Sequence, residues 1–183
     1  GVVQATGSGL VELVLIAKDC KNSVPTEHKN GKKKSCSKLG RDLHACCENK
    51  IQEHRKKNPE DGNPPIEGER GYKRPVDKNN NVIQPVNTTP ILEARPSAQA
   101  AFAAGGSGPK NYFNAVKGNC YPDAAIINSD GSKTLVDFKF ECPPENRKNP
   151  NKSGRRPPSP RQVNSYDALS QAMGGGKAIF LRL

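Results

Sequence analysis

Two aspartates and a lysine stand on the arms of a predicted β-hairpin in the second half of the chain. Asp123 comes directly before one apolar run, and Asp137 and Lys139 lie within the next. The segment between the runs, residues 128–132 (NSDGS), is typical of a hairpin turn. It favours a three-residue loop with Gly131 in the left-handed conformation. In that register Asp123 lies directly opposite Asp137, and Lys139 shares the face of Asp137.

This set predicts a divalent-metal site beside a lysine that can act on water or on phosphate. Facing carboxylates repel each other, and a divalent cation between them removes that conflict. Ligands that are all oxygen suit Mg²⁺ or Mn²⁺. A lysine beside the metal can polarise a water molecule or stabilise negative charge on phosphate. A two- or four-residue loop would turn Asp123 to the other face, so the prediction depends on the register.

Hydrophobic spacing predicts the elements that must position these residues. Residues 38–57 predict an amphipathic helix with a basic last turn, whose apolar positions are Leu39, Leu43, Cys46, Cys47 and Ile51. Residues 7–20 are the most apolar segment, and a helix and a strand are both compatible with their pattern. A further helix begins at Ser159–Pro160 and ends near Met173, before three glycines, and 177–183 is a closing strand.

Between these parts lies a long segment without a clear period. Residues 58–90 are rich in Pro, Gly, Asn and Glu and predict irregular structure. A short helix is expected after Pro96, followed by a flexible break at 105–108. The chain is therefore interpreted as one α/β domain over 1–183. Its parts are an N-terminal helical part (1–57), an irregular insertion (58–108) and a catalytic core (109–183).

The charge of the chain favours a partner rich in phosphate. The 183 residues carry a formal net charge of +11. Residues 29–57 hold ten basic and three acidic residues, and 143–161 hold six basic and one acidic. A concentrated positive field favours nucleic acid, because each neutralised phosphate releases counterions, although an acidic protein is an alternative partner. The apolar share of 33% permits one modest core, and the sequence has no apolar run long enough to predict a membrane span.

The hairpin and the segments after it resemble the PD-(D/E)xK nuclease superfamily, which has the restriction-endonuclease-like fold. The resemblance is carried by Pro122-Asp123, the hairpin, Asp137-Phe138-Lys139 and a helix with Gln162 and Tyr166. The helix, its glycines and the closing KAIFLRL segment are similar to the VRR-NUC branch. The middle residue Phe138 and the second acid Asp137 differ from that branch. The resemblance covers 109–183 and implies a central mixed sheet with a β-hairpin, flanked by helices.

The resemblance also implies roles for individual residues. Asp123 and Asp137 would hold the metal together with the carbonyl of Phe138, and Lys139 would orient the attacking water. Gln162 would contact the water, the lysine or the nucleic-acid backbone. The superfamily also uses an acid on the helix before the hairpin, for which Glu48 is preferred over Glu53. The remaining candidates would contact nucleic acid, with Tyr166 equally compatible with a core position: Arg147, Lys148, Lys152, Arg155, Arg156, Arg161 and Tyr166.

The segment 137–143 (DFKFECP), together with the helix that carries Gln162 and Tyr166, is also similar to toxin domains at the C-termini of bacterial polymorphic and type VI secretion effectors. This similarity implies a Mg²⁺- or Mn²⁺-dependent DNase, secreted and delivered into the cytoplasm of a target bacterium. A cognate immunity protein, expected to be acidic, would neutralise it. Because the chain begins with Gly1 rather than Met, it is interpreted as a piece of a longer effector.

Three other functions remain open at this point. They are an RNase of the same fold, a non-catalytic basic binding module, and an extracellular adhesion domain held by disulfides. The six cysteines include no CxxC pair, which argues against a zinc ribbon. Coordination of a metal by Cys20, His28, Cys36 and His44 is a weaker alternative. In the hairpin register a Cys120–Cys142 bridge is compatible with the spacing, and Cys46 and Cys47 are expected to be small core residues.

Overall fold

The computed structural model describes residues 7–57, 65–92, 95 and 116–183. Within these ranges the chain forms three helices, two β-sheets and one short 3-10 turn at Pro144–Asn146. The helices are α1 (Gly7–Ser23), α2 (Cys36–Lys57) and α3 (Pro160–Ala172). The strands are β1 (Ile66–Glu67), β2 (Tyr72–Lys73), β3 (Asn119–Cys120), β4 (Ala124–Ile127), β5 (Lys133–Lys139) and β6 (Ile179–Arg182).

The helices α2 and α3 form within two residues of their predicted bounds. The segment that was open between helix and strand is the helix α1, and α2 buries Leu39, Leu43, Cys47 and Ile51 along one face. At the start of α3 the Ser159 side chain accepts a hydrogen bond from the backbone N–H of Gln162 at 3.1 Å, which satisfies a free helix N–H. Gly174, with φ +82°, ends this helix in a conformation that favours glycine.

The main sheet has the strand order β1-β4-β5-β6 and is mixed. The pairs β1–β4 and β4–β5 are antiparallel, whereas β6 lies parallel to β5. In the hairpin Ala124 lies opposite Val136, and the backbone N–H of Asn128 donates to the Ser132 carbonyl at 2.9 Å. Gly131 has φ +83°. The predicted three-residue loop is therefore confirmed, and the same register, continued one residue beyond β4, places Asp123 opposite Asp137.

Helices cover both faces of this sheet. The helices α1 and α2 pack on the face that carries Ile126, Val136 and Phe138. The helix α3 packs on the other face, where Leu135 and Leu169 are buried. This alternation follows the two-residue period of a strand, and it places the odd-numbered Asp137 and Lys139 on the side of α3. The predicted α/β class with a mixed sheet flanked by helices is confirmed.

Two disulfide bonds join the helical part to the rest of the domain. Cys20 bonds to Cys46 and thereby links α1 to α2, and Cys36 bonds to Cys142 just beyond β5. The Cys120–Cys142 bridge that the hairpin register permitted does not form, because Cys142 is bonded to Cys36 and β3 pairs with β2 rather than extending the hairpin. Cys47 is a buried free thiol, as expected of a core residue, but Cys46 is not one.

The same bonds exclude the alternative metal site, since Cys20 and Cys36 are each already bonded to another cysteine. The segment 65–90 is largely irregular but contributes β1 to the main sheet and β2 to a small sheet with β3. The helix predicted after Pro96 and the break at 105–108 lie outside the described residues. No helix in the described ranges has the length and apolar character needed to cross a membrane.

Candidate active site

The two aspartates of the hairpin form a buried carboxylate pair, with Asp123 directly before β4 and Asp137 near the end of β5. Asp123 is 9% exposed and Asp137 is 5% exposed. The side chains of the pair are within hydrogen-bonding reach of each other. Burial, reinforced by the charge of Asp123, raises the pKa of Asp137 to about 8. Near neutral pH the pair therefore shares one proton, as two carboxylates held together in a protein interior do.

Asp123 remains the ionised member because hydrogen bonds stabilise its charge. Its Oδ2 accepts from the backbone N–H of Phe138 at 2.7 Å and lies 3.2 Å from Nε2 of His44. Burial by itself would raise the pKa of Asp123, but the contact with His44 outweighs it and lowers the pKa below its usual value. The asymmetry of the pair therefore comes from α2, the helix that supplies His44.

His44 is a site residue that sequence analysis missed. Its Nδ1 lies 2.8 Å from the Gly40 carbonyl, and its Nε2 lies 3.2 Å from the Phe138 carbonyl. Since carbonyls only accept hydrogen bonds, these contacts favour the imidazolium, in which both ring nitrogens carry a proton. Burial lowers the pKa of His44, but the hydrogen bond and charge of Asp123 raise it to about 9. The one-turn spacing of His44 and Glu48 on α2 is the signal that could have found it.

On the other side of the pair, Lys139 connects the hairpin to α3. Its Nζ lies 2.6 Å from Asp137 Oδ2 and donates to Gln162 Oε1 at 2.9 Å. Gln162 Nε2 in turn donates to the Tyr166 hydroxyl at 3.4 Å. A continuous polar row therefore runs from α3 through β5 and β4 to α2. It joins four of the five residues predicted to be catalytic: Asp123, Asp137, Lys139 and Gln162.

Tyr166 lies inside the domain rather than at its surface. Only 5% of it is exposed, and its ring stacks on Phe180 with 5.9 Å between centroids. Burial also raises the pKa of its hydroxyl above the usual value. This placement argues against the predicted contact of Tyr166 with nucleic acid. It favours a positioning role, in which the hydroxyl accepts from the Gln162 amide and orients it toward Lys139.

Glu48 lies in the cleft beside this row, whereas Glu53 is exposed to solvent. Glu48 Oε2 accepts a hydrogen bond from the backbone N–H of Glu69 at 3.0 Å, and Glu48 Oε1 accepts one from the Gln52 side chain at 2.9 Å. A Cβ at Gly68 would lie 2.6 Å from Glu48 Oε1, so glycine permits this close approach. Of the two acids considered on α2, the structure brings Glu48 and not Glu53 toward Asp123.

Glu69 is a second residue that sequence analysis missed, because it lies in the segment without a clear period. Burial raises its pKa to about 7; the charges of Asp123 and Glu48 also raise it, whereas that of Arg95 lowers it. It lines a cleft of about 560 Å³ together with His44, Glu48, Tyr121 and Asp123. The cleft therefore holds three acids beside three basic residues, namely Glu48, Glu69 and Asp123 beside His44, Arg70 and Arg95.

The donor atoms at this site suit a hard divalent cation. Among the described residues, no three His, Cys, Asp or Glu side chains form a ready-made metal site. The converging oxygens are instead those of Asp123 and Asp137 and the Phe138 carbonyl. Asp137 Oδ2 is buried and lacks a well-directed hydrogen bond, although the Lys139 ammonium is close. A buried acid pair that must hold a shared proton fits Mg²⁺ or Mn²⁺, which would neutralise it instead.

Five of the seven residues predicted to bind nucleic acid lie in the loop between β5 and α3, and Arg161 and Tyr166 lie in α3 itself. Arg147 supports this loop, since it donates to the carbonyls of Cys142 and Lys152 and pairs with Glu141 at 3.3 Å. Arg161 is half-buried in the first turn of α3. The other four predicted residues are exposed and so are accessible to a polyanion: Lys148, Lys152, Arg155 and Arg156.

Comparisons of the chain with family models, with curated proteins and with solved structures found no match.

Proposed function

We propose that this domain is a metal-dependent nuclease that hydrolyses phosphodiester bonds of DNA, built on a restriction-endonuclease-like core. The observation that carries the proposal is the polar row of the candidate active site. A buried acid pair, a lysine hydrogen-bonded to a glutamine, and a neighbouring basic loop are the parts that phosphodiester hydrolysis needs. The mixed sheet with its hairpin and flanking helices supports the proposed core.

Asp123, Asp137 and the Phe138 carbonyl would hold Mg²⁺ or Mn²⁺, and Glu48 lies in the same cleft. A bound cation would act as a Lewis acid on the phosphate and lower the pKa of a bound water. His44 faces the same two oxygens that would bind a cation, those of Asp123 and Phe138. A cation bound to these two oxygens would therefore displace the His44 ring from them, since two positive charges would compete for the same oxygens.

Lys139 and Gln162 have a distinct task in this proposal. The ammonium of Lys139 is held between Asp137 and Gln162, so its direction is set by partners on two elements. From there it can donate a hydrogen bond to the attacking water or to a phosphate oxygen. Tyr166, buried under Gln162, restrains the amide. This preorganisation explains why a buried tyrosine belongs to the site without touching substrate.

The proposal includes delivery of the domain as an antibacterial effector toxin into a target bacterium. Two disulfide bonds support passage through an oxidising compartment, where such bonds form and persist. A neutralising immunity protein would be acidic, because the loop beside the site is strongly basic. An immunity protein that is basic or that binds far from Asp123 would contradict this part of the proposal.

The test is cleavage of supercoiled plasmid DNA by the purified domain, with Mg²⁺ and with EDTA. We expect cleavage in Mg²⁺ and none in EDTA. The cleavage rate of Asp137→Asn should be lower by more than about 100-fold, since changes even to outer partners of metal ligands cost about 10- to 100-fold. Asp130→Asn is the matched control, because it removes a carboxylate from the exposed turn of the same hairpin. Full activity of Asp137→Asn, or cleavage in EDTA, contradicts the proposal. Cleavage of RNA at the same rate as DNA would favour the alternative that the domain is an RNase.

A further inference from the structure

Two basic segments that are remote in sequence meet in the fold. Asn146 is 7% exposed, and its side-chain amide donates to the carbonyls of Thr26 at 2.8 Å and Lys34 at 2.9 Å. The Cys36–Cys142 bond holds the same two segments covalently. The loop 24–35 before α2 therefore lies against the loop 141–156 after β5, over a sequence separation of about 110 residues.

The joined loops carry a large excess of positive charge. They contain nine Lys and Arg against three Glu, with His28 in addition. Lys33 pairs with Glu27, and buried Lys34 pairs with Asp42. Five others are exposed and form no ion pair with any described carboxylate. We call this group of five the basic platform: Lys29, Lys32, Lys148, Lys152 and Arg156.

The basic platform adjoins the candidate active site through the chain itself. The loop 141–156 leaves β5 directly after Lys139 and leads to α3, where Gln162 contacts Lys139. Cys142 is three residues beyond Lys139, so the loop begins within about 11 Å of that lysine. A linear polyanion lying across the cleft can therefore continue over 141–156 and reach Lys29 and Lys32.

Resting on the proposed function, we infer that the basic platform is an anchoring site for the nucleic-acid backbone outside the cleft, and that Lys29 and Lys32 belong to it. Exposed cationic groups without an ion pair neutralise phosphates and release counterions without reading bases. The platform contains no aromatic residue on which a base could stack. Anchoring there is therefore electrostatic and indifferent to sequence, and it extends the footprint beyond the residues predicted from the 146–161 loop.

The experiment measures how the affinity of the full chain for a 20-bp duplex depends on salt, in EDTA so that no cleavage occurs. One variant combines Lys29→Ala with Lys32→Ala. The matched control combines Lys56→Ala with Lys57→Ala, which removes the same charge from exposed residues at the other end of α2. The two ends of this 22-residue helix are about 30 Å apart. Thermal unfolding checks that both variants fold.

We expect the slope of log affinity against log salt, which is negative, to decrease in magnitude by about 1.8 in the platform variant, since each phosphate contact contributes about 0.9 on duplex DNA. The control should keep the slope of the unsubstituted chain. Equal slopes in all three proteins overturn the anchoring site, whether or not Mg²⁺ supports plasmid cleavage. If the slope of the platform variant is smaller in magnitude but Mg²⁺ supports no plasmid cleavage by the unsubstituted chain, the anchoring site stands and the proposed nuclease function is refuted. If poly-glutamate displaces the duplex at equal charge concentration, the platform binds acidic polypeptides and the inference is wrong.

Discussion

The buried acid pair makes a prediction about stability as well as about cleavage. Asp137 has a pKa of about 8 in the folded chain, raised by burial and by the charge of Asp123, against 3.8 for an exposed carboxyl. Between these values the folded state binds one proton that the unfolded state has released. The free energy of unfolding therefore falls as the pH rises, by about 1.4 kcal/mol per pH unit for this one group.

In the variant Asp137→Asn the side chain cannot ionise, so this contribution to the fall in the free energy of unfolding is absent. Between pH 5.0 and 6.5 its free energy of unfolding, relative to that of the unsubstituted chain, should rise by about 2 kcal/mol. Two neighbours do not disturb this window. Asp123, whose pKa is lowered, is ionised throughout it, and folded His44, with a pKa of about 9, stays protonated. Glu69, whose pKa is raised to about 7, also makes the free energy of unfolding fall over this range. It does so equally in the unsubstituted chain and in Asp137→Asn, so the difference between them is unaffected.

The assay is urea unfolding followed by circular dichroism, in EDTA at constant ionic strength and at half-unit steps of pH. Asp130→Asn is the control, because its hydrogen bonds with Ser132 lower the pKa of this exposed carboxyl and keep it ionised. The difference between this control and the unsubstituted chain should not change with pH. If the difference for Asp137→Asn is equally constant, the raised pKa of Asp137 is refuted. The shared-proton description of the pair then fails with it.

Two further predictions concern the disulfide and the acid on α2. Replacing Cys36 and Cys142 together by Ser should lower the free energy of unfolding, measured by urea titration, by about 2–5 kcal/mol. The reason is that the bond closes a long loop in the unfolded chain. An unchanged free energy of unfolding would show that the bond contributes nothing. Glu48→Gln should slow Mg²⁺-dependent plasmid cleavage by about 10- to 100-fold, whereas Glu53→Gln, on the exposed face of the same helix, should not. Equal rates for these two variants would remove Glu48 from the site.

Much of the candidate site depends on short-range rules. The loop at Gly131 sets the register of the hairpin within a few residues, and register decides which side chains share a face. Asp123, Asp137 and Lys139 could therefore be placed together before any tertiary contact was known. The start of α3 is equally local, because Ser159 caps the helix and so positions Gln162 one turn into it. These parts of the site were predictable because each depends on neighbours in the chain.

The parts that were not predicted depend on contacts across large sequence distances. His44 reaches the Phe138 carbonyl over 94 residues, and Cys36 bonds to Cys142 rather than Cys120 pairing with it. Cysteine connectivity is not contained in spacing alone, since six cysteines permit many pairings. Glu69 enters the cleft from a segment with no hydrophobic period, where sequence offers no face to assign.

The sequence by itself determined the helices α2 and α3, the hairpin register and the positive charge, because period, turn chemistry and composition are local properties. Only the tertiary structure decided where the charge lies and which α2 side chains meet the acid pair. The packing of α2 against the hairpin brings His44 to Asp123. The contacts of Asn146 bring Lys29 and Lys32 beside the loop after β5. Both outcomes depend on how separate elements pack, which the pattern within each element does not contain.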